Sequence, residues 1–328
     1  MFRKIMNKLG IGIVIIVMFI AMSFASPFFF DLQNLMNILL QVSISTIIAV
    51  GMTVVILTGG IDLSVGSVTA MSCVVIALTL HLGLPVAVVL VLAILFGLLS
   101  GIAMGSINGL FVVKGRVPAF IATLGMMSIA RGLALYVTGG QSVTLLPQEY
   151  MAITSGKIGE IPVPVLYAVV VVLIAAFMLN KTKLGRYIYA IGGNKEAVRL
   201  SGVNVDKVEF IAYAISGLAC GIGAIVLVGR LGAGQPIAAS GYELTAIAAA
   251  IIGGTSLSGG MGRISGTVMG AVLMGMLSNG LNLLDVSQFL QQIITGLVIV
   301  AAVLFDQFRK SRKDKAKIRE IQKSSAQA

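Results

Sequence analysis

The chain has 328 residues, of which 58% are hydrophobic and only 11% are charged, whereas soluble domains average roughly 45–50% and 25%. A soluble protein of this size cannot cover so much apolar surface, so a soluble enzyme is nearly excluded, as are a disordered and a collagen-like chain. The formal net charge of +11 would indicate a nucleic-acid partner only if the basic residues formed a binding surface, so their positions decide its meaning.

Long stretches without Asp, Glu, Lys or Arg divide the chain into membrane-sized pieces. A helix needs about 20 apolar residues to cross a bilayer core of about 30 Å, and most of these stretches have that length. The stretch 63–113 is long enough for two crossings, with a turn at 81–85. The pattern predicts an all-α polytopic membrane protein with about ten transmembrane helices: 10–29, 42–58, 64–80, 85–112, 118–137, 164–180, 210–229, 243–257, 264–283 and 287–305.

The N-terminal segment fits either a first transmembrane helix or a cleaved signal peptide. The charged residues 1–8 are followed by an apolar run with small residues near 23–25, as in a signal peptide. The apolar run is longer than in most signals and 28–30 extend it further, which favours a retained helix.

The basic residues are distributed unevenly across the predicted membrane. With a cytoplasmic N-terminus and ten crossings, 20 of the 23 Lys and Arg residues lie inside, in 1–8, 114–116, 181–207, Arg263 and 309–323. Positive loops stay in the cytoplasm, so both termini are predicted to be cytoplasmic. The excess of basic residues therefore indicates the topology of the chain, and the predicted partner is membrane lipid and not nucleic acid. For 309–328, the alternative is a tail that binds anionic lipid or RNA.

The domain organisation follows from these crossings. Residues 1–308 are predicted to form a single transmembrane domain with an external loop, 138–163, and a basic cytoplasmic loop, 181–209. Residues 309–328 are predicted to be a basic cytoplasmic tail.

One glycine-rich string occurs twice. Gly59–Gly66 and Gly253–Gly260 both read Gly-Gly-x-x-Leu-Ser-x-Gly, and each lies between two apolar runs. Glycine pairs at membrane depth either break a helix beside a polar path or form a tight turn between helices. Both interpretations stay open. Other glycines, at 97, 101 and 105 and at 217, 221 and 229, recur along one helix face and predict close helix packing.

Catalytic and metal chemistry is hard to find in this sequence. His81 is the single histidine, no Gly-x4-Gly-Lys-Ser/Thr string occurs, and Cys73 and Cys220 sit in apolar runs. No catalytic residue, metal site or cofactor bound by this chain is therefore predicted, and a membrane-embedded enzyme is a distant alternative.

Few ionisable residues lie within the predicted membrane region, and each is a functional candidate because burial of a charge there is costly. Asp62 either caps the next helix or lies in a transport path, Glu243 fits a helix first turn, and Arg131 lies near a helix end. Amides are more frequent and suit a neutral, hydroxyl-rich solute. The predicted pathway or gate residues are Gly59, Gly60, Asp62, Ser64, Asn108, Gln235 and Asn279.

Several separated blocks carry a family resemblance. The runs 50–67, 114–124, 184–194, 241–256 and 279–284 resemble the membrane permease subunits of bacterial ABC importers for monosaccharides, most closely the ribose-import permeases. The resemblance implies a ten-helix fold similar to the vitamin B12 importer permeases and a place in the bacterial inner membrane. Ribose is the implied solute, with xylose, allose, galactose or an autoinducer-type furanose as alternatives.

The resemblance also implies partners. A second permease copy would complete a homodimer, a separate ABC ATPase would bind ATP-Mg, and an extracytoplasmic sugar-binding protein would deliver the solute. This chain would then be a transport subunit and not an enzyme. A stand-alone secondary carrier and a nonspecific channel or scaffold are the rivals, and the shortage of intramembrane Asp, Glu and His counts against ion coupling.

By the same resemblance, 192–204 is the coupling segment that contacts the ATPase. Asn194 can cap a short helix, Gly202 can end it, and Glu196 and Arg199 can pair across one turn. Ala197, Val198 and Leu200 offer apolar groups to a groove, although an ordinary solvated loop helix is the alternative. The predicted coupling residues are Gly192, Gly193, Asn194, Glu196, Ala197, Arg199 and Gly202.

Overall fold

The computed structural model describes the backbone of residues 2–325 and the side-chain surroundings of 11–304, 307 and 308. Met1 and 326–328, the two ends of the predicted cytoplasmic termini, lie outside the described residues. Within 2–325 the chain forms thirteen helices and one two-stranded hairpin. The helices are α1 (Phe2–Ala25), α2 (Leu32–Leu57), α3 (Val65–Thr79), α4 (Val86–Val113), α5 (Ala119–Thr138), α6 (Gln148–Ser155), α7 (Val163–Lys181), α8 (Lys183–Gly193), α9 (Lys195–Leu200), α10 (Val205–Leu231), α11 (Tyr242–Ile252), α12 (Ile264–Leu283) and α13 (Gln288–Ser325). The strands are β1 (Lys157–Ile158) and β2 (Ile161–Pro162).

Each of the ten predicted apolar helices corresponds to one helix of the structure, but five boundaries differ by five residues or more. Helix α1 begins at Phe2 rather than at 10, and α10 begins at Val205 rather than at 210. Helix α2 begins ten residues before the predicted start, at Leu32, and α13 continues through Ser325 into the basic tail. Helix α11 ends at Ile252 rather than at 257, because Gly253 begins a turn in which Gly254 has a φ of +90°.

Six helices are long and apolar enough to cross a membrane: α2, α4, α5, α7, α10 and α12. Shorter apolar stretches lie at Ile11–Ala25 in α1, in α3, in α11 and at Gln288–Leu304 in α13. The mostly helical chain is therefore a polytopic membrane protein. The count of ten crossings and the cytoplasmic side of both termini stay predictions.

Helices α2 and α10 form the centre of the bundle. Their apolar windows are 83% and 72% buried, against 22% for α4 and α7, so the central pair is largely surrounded by protein and α4 and α7 lie at the periphery. Glycines allow the close crossing of α4 with α10: a Cβ on Gly101 would collide with the Gly217 carbonyl, and one on Gly105 with the Tyr213 carbonyl. This contact confirms the predicted packing role of the glycine faces.

The predicted external loop is folded against the bundle. Helix α6 and the hairpin β1–β2 lie within 138–163. Tyr150 of α6 is fully buried, and its hydroxyl donates a 2.8 Å hydrogen bond to the Ile225 carbonyl of α10. The loop therefore covers the end of α10 that is remote from α9.

Candidate functional site

A buried polar cluster connects the α2–α3 turn with α4 and α10. One oxygen of the Asp62 carboxylate accepts hydrogen bonds from the Ser64 amide, at 3.0 Å, and the Ser64 hydroxyl, at 2.6 Å. The other oxygen accepts one from the Ser216 hydroxyl at 2.9 Å. The Asn108 amide donates to the Ser64 hydroxyl at 2.8 Å. These contacts stabilise a carboxylate that is otherwise costly to bury.

The cluster is closed in this conformation. Asp62 is 2% exposed, and Ser64, Asn108 and Ser216 are 0% exposed. Gly60 packs so closely on Tyr213 that an added Cβ would lie 2.6 Å from the tyrosine hydroxyl oxygen. The Asn108 Oδ1 and the Tyr213 hydroxyl have no hydrogen-bond partner among the residues whose side chains the structure describes. Asp62 therefore bonds Ser64 just before α3 and holds the turn that contains the predicted gate residues. These contacts give Asp62 a structural role in the turn, and its role in a transport path stays a prediction.

The two glycine-rich strings contact each other and the end of α8. We call Gly59, Gly192, Gly259 and Gly260 the glycine junction. The Gly260 amide donates to the Leu57 carbonyl at 2.9 Å. A Cβ on Gly192 would collide with the Leu57 carbonyl and the Gly260 nitrogen, and one on Gly259 would lie 2.8 Å from Gly59. Only residues without side chains allow three backbones to meet this closely.

Helix α8 has a second contact with the same loop. The Tyr189 hydroxyl donates to the Gly262 carbonyl at 3.0 Å. Burial raises the pKa of Tyr189 above its ordinary value, with Arg263 acting in the opposite direction, so the phenol stays protonated and able to donate. Residues 189 and 192 thus connect the basic loop to 253–263.

Helix α9 has the predicted caps and ion pair. Asn194 Oδ1 accepts from the Ala197 amide at 3.0 Å, and Gly202 follows the helix with a φ of +82°. Arg199 lies 3.1 Å from Glu196 and 3.7 Å from Asp206. These contacts position the predicted coupling residues but do not by themselves test the coupling role.

The surface of α9 differs from the prediction at one residue. Glu196, Ala197, Arg199 and Leu200 are exposed, and Leu200 is 88% exposed. Val198, by contrast, is buried in a core with neighbouring helices. Its predicted availability to a partner's groove is wrong, because the 3.6-residue helical period turns it toward the permease while Leu200 points outward.

A groove of about 480 Å³ lies beside α9, between the end of α4 and the start of α10. Leu110 and Lys114 line one wall, and Asp206, Lys207 and Phe210 line the other. The groove meets α9 at Asp206, which lies 3.7 Å from Arg199.

Two predicted pathway residues lie away from the Asp62 cluster. Asn279 of α12 pairs with Asn34 of α2 through two amide hydrogen bonds of 3.1 and 2.9 Å, in a site where both are largely buried. Gln235 lies in the segment between α10 and α11. The structure therefore brings Gly59, Gly60, Asp62, Ser64 and Asn108 together, and separates Asn279 and Gln235 from them.

The segment 232–241, which we call the irregular segment, is not helical and runs along α3. A Cβ on Gly234 would collide with Ala77, and one on Gly66 would collide with the Ala239 carbonyl and the Glu243 carboxylate. Arg131 Nη1 of α5 donates to the Pro236 carbonyl at 2.7 Å and to the Ala238 carbonyl at 2.9 Å. Glu243 stands in the first turn of α11, as predicted.

Two of these participants, Ser216 and Asn34, were not predicted from the sequence, and for Arg131 only the contacts were not predicted. Ser216 was one of many small polar residues in an apolar run, and Asn34 lay before the predicted start of its helix. The hydrogen bonds of Arg131 to the irregular segment could not be seen, because its partners are carbonyl oxygens, which every residue carries. In the described part of the chain, no group of three or more His, Cys, Asp and Glu residues could hold a metal ion.

Comparison with known proteins gives one family and several close relatives. The family model for the permease component of the branched-chain amino acid transport system matches residues 34–303. Ribose import permease protein RbsC of Escherichia coli (strain K12) is 47% identical over 298 residues, which are 90% of this chain and 92% of the relative. RbsC of Bacillus subtilis (strain 168) is 44% identical over 93% of this chain and 94% of the relative.

A further relative has a different named sugar. The L-arabinose transport system permease protein AraH of Escherichia coli (strain K12) is 37% identical over 95% of this chain and 94% of the relative. No solved structure matches the chain.

Proposed function

Because the chain belongs to the permease family of the branched-chain amino acid transport system, we propose that it is the membrane subunit of an ABC importer for a monosaccharide, with ribose as its solute. One observation carries the choice of solute: ribose import permeases from three genera are 43–47% identical over about nine-tenths of the chain. The protein lies in the inner membrane of a bacterium, where such a subunit spans the bilayer several times.

The energy for transport comes, in this proposal, from a separate ATPase subunit that binds ATP-Mg. The sequence has no P-loop string of its own. An extracytoplasmic sugar-binding protein supplies the solute, and two copies of this chain form the pathway between them. The exposed α9 surface, with Glu196, Ala197, Arg199 and Leu200, is the contact for the ATPase.

The glycine junction provides the mechanical connection. Gly192 and Gly193 end α8, and Asn194 begins α9. Since Gly192 is packed against the Leu57 carbonyl and Gly260, a displacement of α8–α9 by the ATPase displaces the 59–66 and 253–260 turns as well. Asp62 and Ser64 lie within the first of these turns, and their bonds to Ser216 and Asn108 extend the movement to α10 and α4.

Reconstitution tests the function directly. The chain is purified with its co-expressed ATPase and binding protein, placed in proteoliposomes, and supplied with labelled ribose and internal or external ATP. We expect ATP-dependent uptake that requires the binding protein and is lost with a hydrolysis-deficient ATPase. Uptake by this chain alone, driven by a proton or sodium gradient, would contradict the proposal and favour a secondary carrier.

The identity of the sugar is tested in the same vesicles by competition. L-Arabinose is the second candidate, because an L-arabinose permease is 37% identical over 95% of the chain. We expect unlabelled ribose to suppress the uptake of labelled ribose at lower concentration than L-arabinose, xylose or allose does. A lower effective concentration for one of these other sugars would replace ribose as the solute and leave the importer class intact.

A further inference from the structure

The irregular segment passes through the outer half of the bundle. Its first residues form an antiparallel bridge with Val143 of the external loop, through 2.9 and 3.0 Å bonds between Val143 and Gly234. Gly234 then lies beside Ala77 near the end of α3, whereas Ala239 lies beside Gly66 near its beginning. Positions 66 and 77 are eleven residues apart, which corresponds to about 16 Å along the α3 axis, roughly half of a 30 Å hydrocarbon core.

The carbonyl groups of this segment are satisfied locally. Arg131 occupies the carbonyls of Pro236 and Ala238, the Ser240 hydroxyl donates to the Ile237 carbonyl at 2.8 Å, and the Tyr242 amide donates to the Ala239 carbonyl at 3.1 Å. The Arg131 side chain therefore satisfies two backbone carbonyls that helical N–H groups would satisfy elsewhere at this depth. The guanidinium holds the segment in its extended path, so Arg131 is a positioning residue.

One side of the segment is nevertheless open. Ile237 is 63% exposed, Ser240 is exposed, and Gln235 is partly exposed. On the neighbouring α5, Ser128 is exposed one turn before Arg131, and a Cβ on Gly132 would meet nothing within 4 Å. Non-helical backbone is not tolerated against lipid and occurs at membrane depth only inside protein or beside water. The charge on Arg131 likewise requires protein or water around it, because a charge in contact with lipid is costly.

We propose that the irregular segment and the facing side of α5 form one wall of a water-filled passage in the outer half of the membrane, and that the sugar moves along it. This inference rests on the proposed function for its solute. The polar groups on the wall are the Gln235 amide and the hydroxyls of Ser128 and Ser240, which suit the hydroxyl groups of a neutral sugar. Arg131 Nη1 already donates to two carbonyls of the segment, so this donor is used within the wall and is not offered to the solute.

Cysteine accessibility tests the wall. Cys73 and Cys220, both buried, are first replaced by alanine, and Ile237→Cys and Ser240→Cys are then made one at a time in the assembled transporter. The probe is a charged, membrane-impermeant methanethiosulfonate added from outside. Tyr136→Cys, at an 86% exposed position near the outer end of α5, is the accessible control, and Leu173→Cys, at a 62% exposed position in the middle of α7, is the lipid-facing control.

We expect Ser240→Cys to react within about tenfold of the rate of Tyr136→Cys, and Leu173→Cys at least about 100-fold more slowly, because a thiolate forms in water and not in hydrocarbon. Excess ribose with its binding protein should slow the reaction at position 240. Reaction as slow as at position 173 would overturn the proposal. So would a disulfide between two copies at position 240 without labelling, since the surface would then be a closed subunit contact.

The positioning role of Arg131 has its own readout. We expect Arg131→Met to change the labelling rate at Ser240→Cys by at least about threefold, since both carbonyl contacts are lost, and Arg131→Lys, which keeps a donor, to restore it. An unchanged rate in both variants would overturn that role. If Arg131→Met does not assemble, the labelling of Ser240→Cys in the transporter that retains Arg131 still decides whether water reaches the wall. Labelling without ATP-dependent ribose uptake by the unlabelled transporter would refute the proposed function and not the passage.

Discussion

At the residue scale, two groups of buried polar side chains connect helices through hydrogen bonds. Asp62 receives donors from Ser64 and Ser216, and Asn34 and Asn279 satisfy each other. Each group joins elements that are far apart in the chain. Removal of one member lowers the stability of the protein, because its partners lose a hydrogen bond in a buried site. These buried polar residues therefore hold helices together, and some of them are also candidates for a role in transport.

Replacement of Asp62 tests this structural role. We expect Asp62→Ala to lower the free energy of unfolding in detergent by about 2–4 kcal/mol, because the hydroxyls of Ser64 and Ser216 lose their acceptor in a buried site. Asp62→Asn, which retains one carbonyl oxygen, should lose less. Ser128→Ala, at an exposed position, is the control. Full stability of Asp62→Ala together with lost sugar uptake would assign Asp62 to the transport step instead.

The Asn34–Asn279 pair is suited to a double-mutant cycle. We expect Asn34→Leu and Asn279→Leu each to destabilise the protein, since each removes both hydrogen bonds between the two amides. The loss should be smaller for Asn279→Leu, because Asn34 still donates to the Phe29 carbonyl. The double variant should lose less than the sum, with a coupling energy of about 0.5–1.5 kcal/mol, the range of interhelical hydrogen bonds in membranes. Strict additivity in denaturant titrations would show that the two amides do not support each other.

At the element scale, the spacing between helices is set by residues that lack a side chain. The α4–α10 crossing and the glycine junction both have backbone atoms where a Cβ would otherwise be. The first holds the centre of the bundle together, and the second connects the α8–α9 surface to the two glycine-rich turns. Helix packing and the contact of α8 with the two glycine-rich turns therefore depend on the same property of glycine.

The α4–α10 crossing predicts the effect of one added methyl group. We expect Gly217→Ala to destabilise the protein by about 1–3 kcal/mol or to prevent folding, because its Cβ would collide with the Gly101 carbonyl. Gly296→Ala in α13 is the matched control, since a Cβ there meets nothing within 4 Å. It should stabilise the helix by about 0.5–1 kcal/mol. Equal unfolding midpoints for the two variants would contradict the close crossing.

The α9 surface gives a prediction about coupling. Arg199 and Glu196 are 51% and 72% exposed in their ion pair, so Arg199→Glu should change the free energy of unfolding by no more than about 0.5–1 kcal/mol. We expect the same variant to reduce sugar-stimulated ATP hydrolysis in the assembled transporter. Lys157→Glu in the external hairpin is the charge-matched control. Unchanged stimulated hydrolysis in Arg199→Glu would remove the coupling role from this helix.

At the scale of the whole molecule, the two ends of the bundle differ in chemistry. Helices α8 and α9, the glycine junction and the groove beside Lys114 occupy one end. The folded external loop and the bridge between Val143 and Gly234 occupy the other. Twenty of the 23 basic residues are assigned to the first end by the predicted crossings. This asymmetry fits an importer that meets an ATPase on one face and a solute-binding protein on the other.

Protease accessibility tests the orientation. We expect trypsin to cleave after Lys195 and Arg199 in inside-out membrane vesicles and not in right-side-out vesicles, because positive loops stay in the cytoplasm. Lys157, in the external hairpin, should show the opposite pattern. The fragments are identified by mass. Cleavage at 195 or 199 in right-side-out vesicles would invert the predicted topology.

The apolar helices could be predicted from the sequence because membrane insertion depends on local composition. A stretch of about 20 apolar residues between charges identifies a helix without knowledge of its neighbours, and all ten predicted helices exist in the structure. The caps and ion pair of α9 were predictable for the same reason, since their partners lie within a few residues.

The helices and the family could thus be read from the sequence alone, and the separation of charge between the two sides of the membrane stays a prediction. Only the tertiary structure decided which polar residues meet. Asp62 and Ser216 are 154 residues apart in the chain, and Asn34 and Asn279 are 245 apart. The path of the irregular segment along α3 was also undetermined, because it depends on carbonyl groups and on the missing side chains of Gly66 and Gly234. Such contacts arise only when the helices pack, since a hydrogen bond or a close approach depends on position and not on composition.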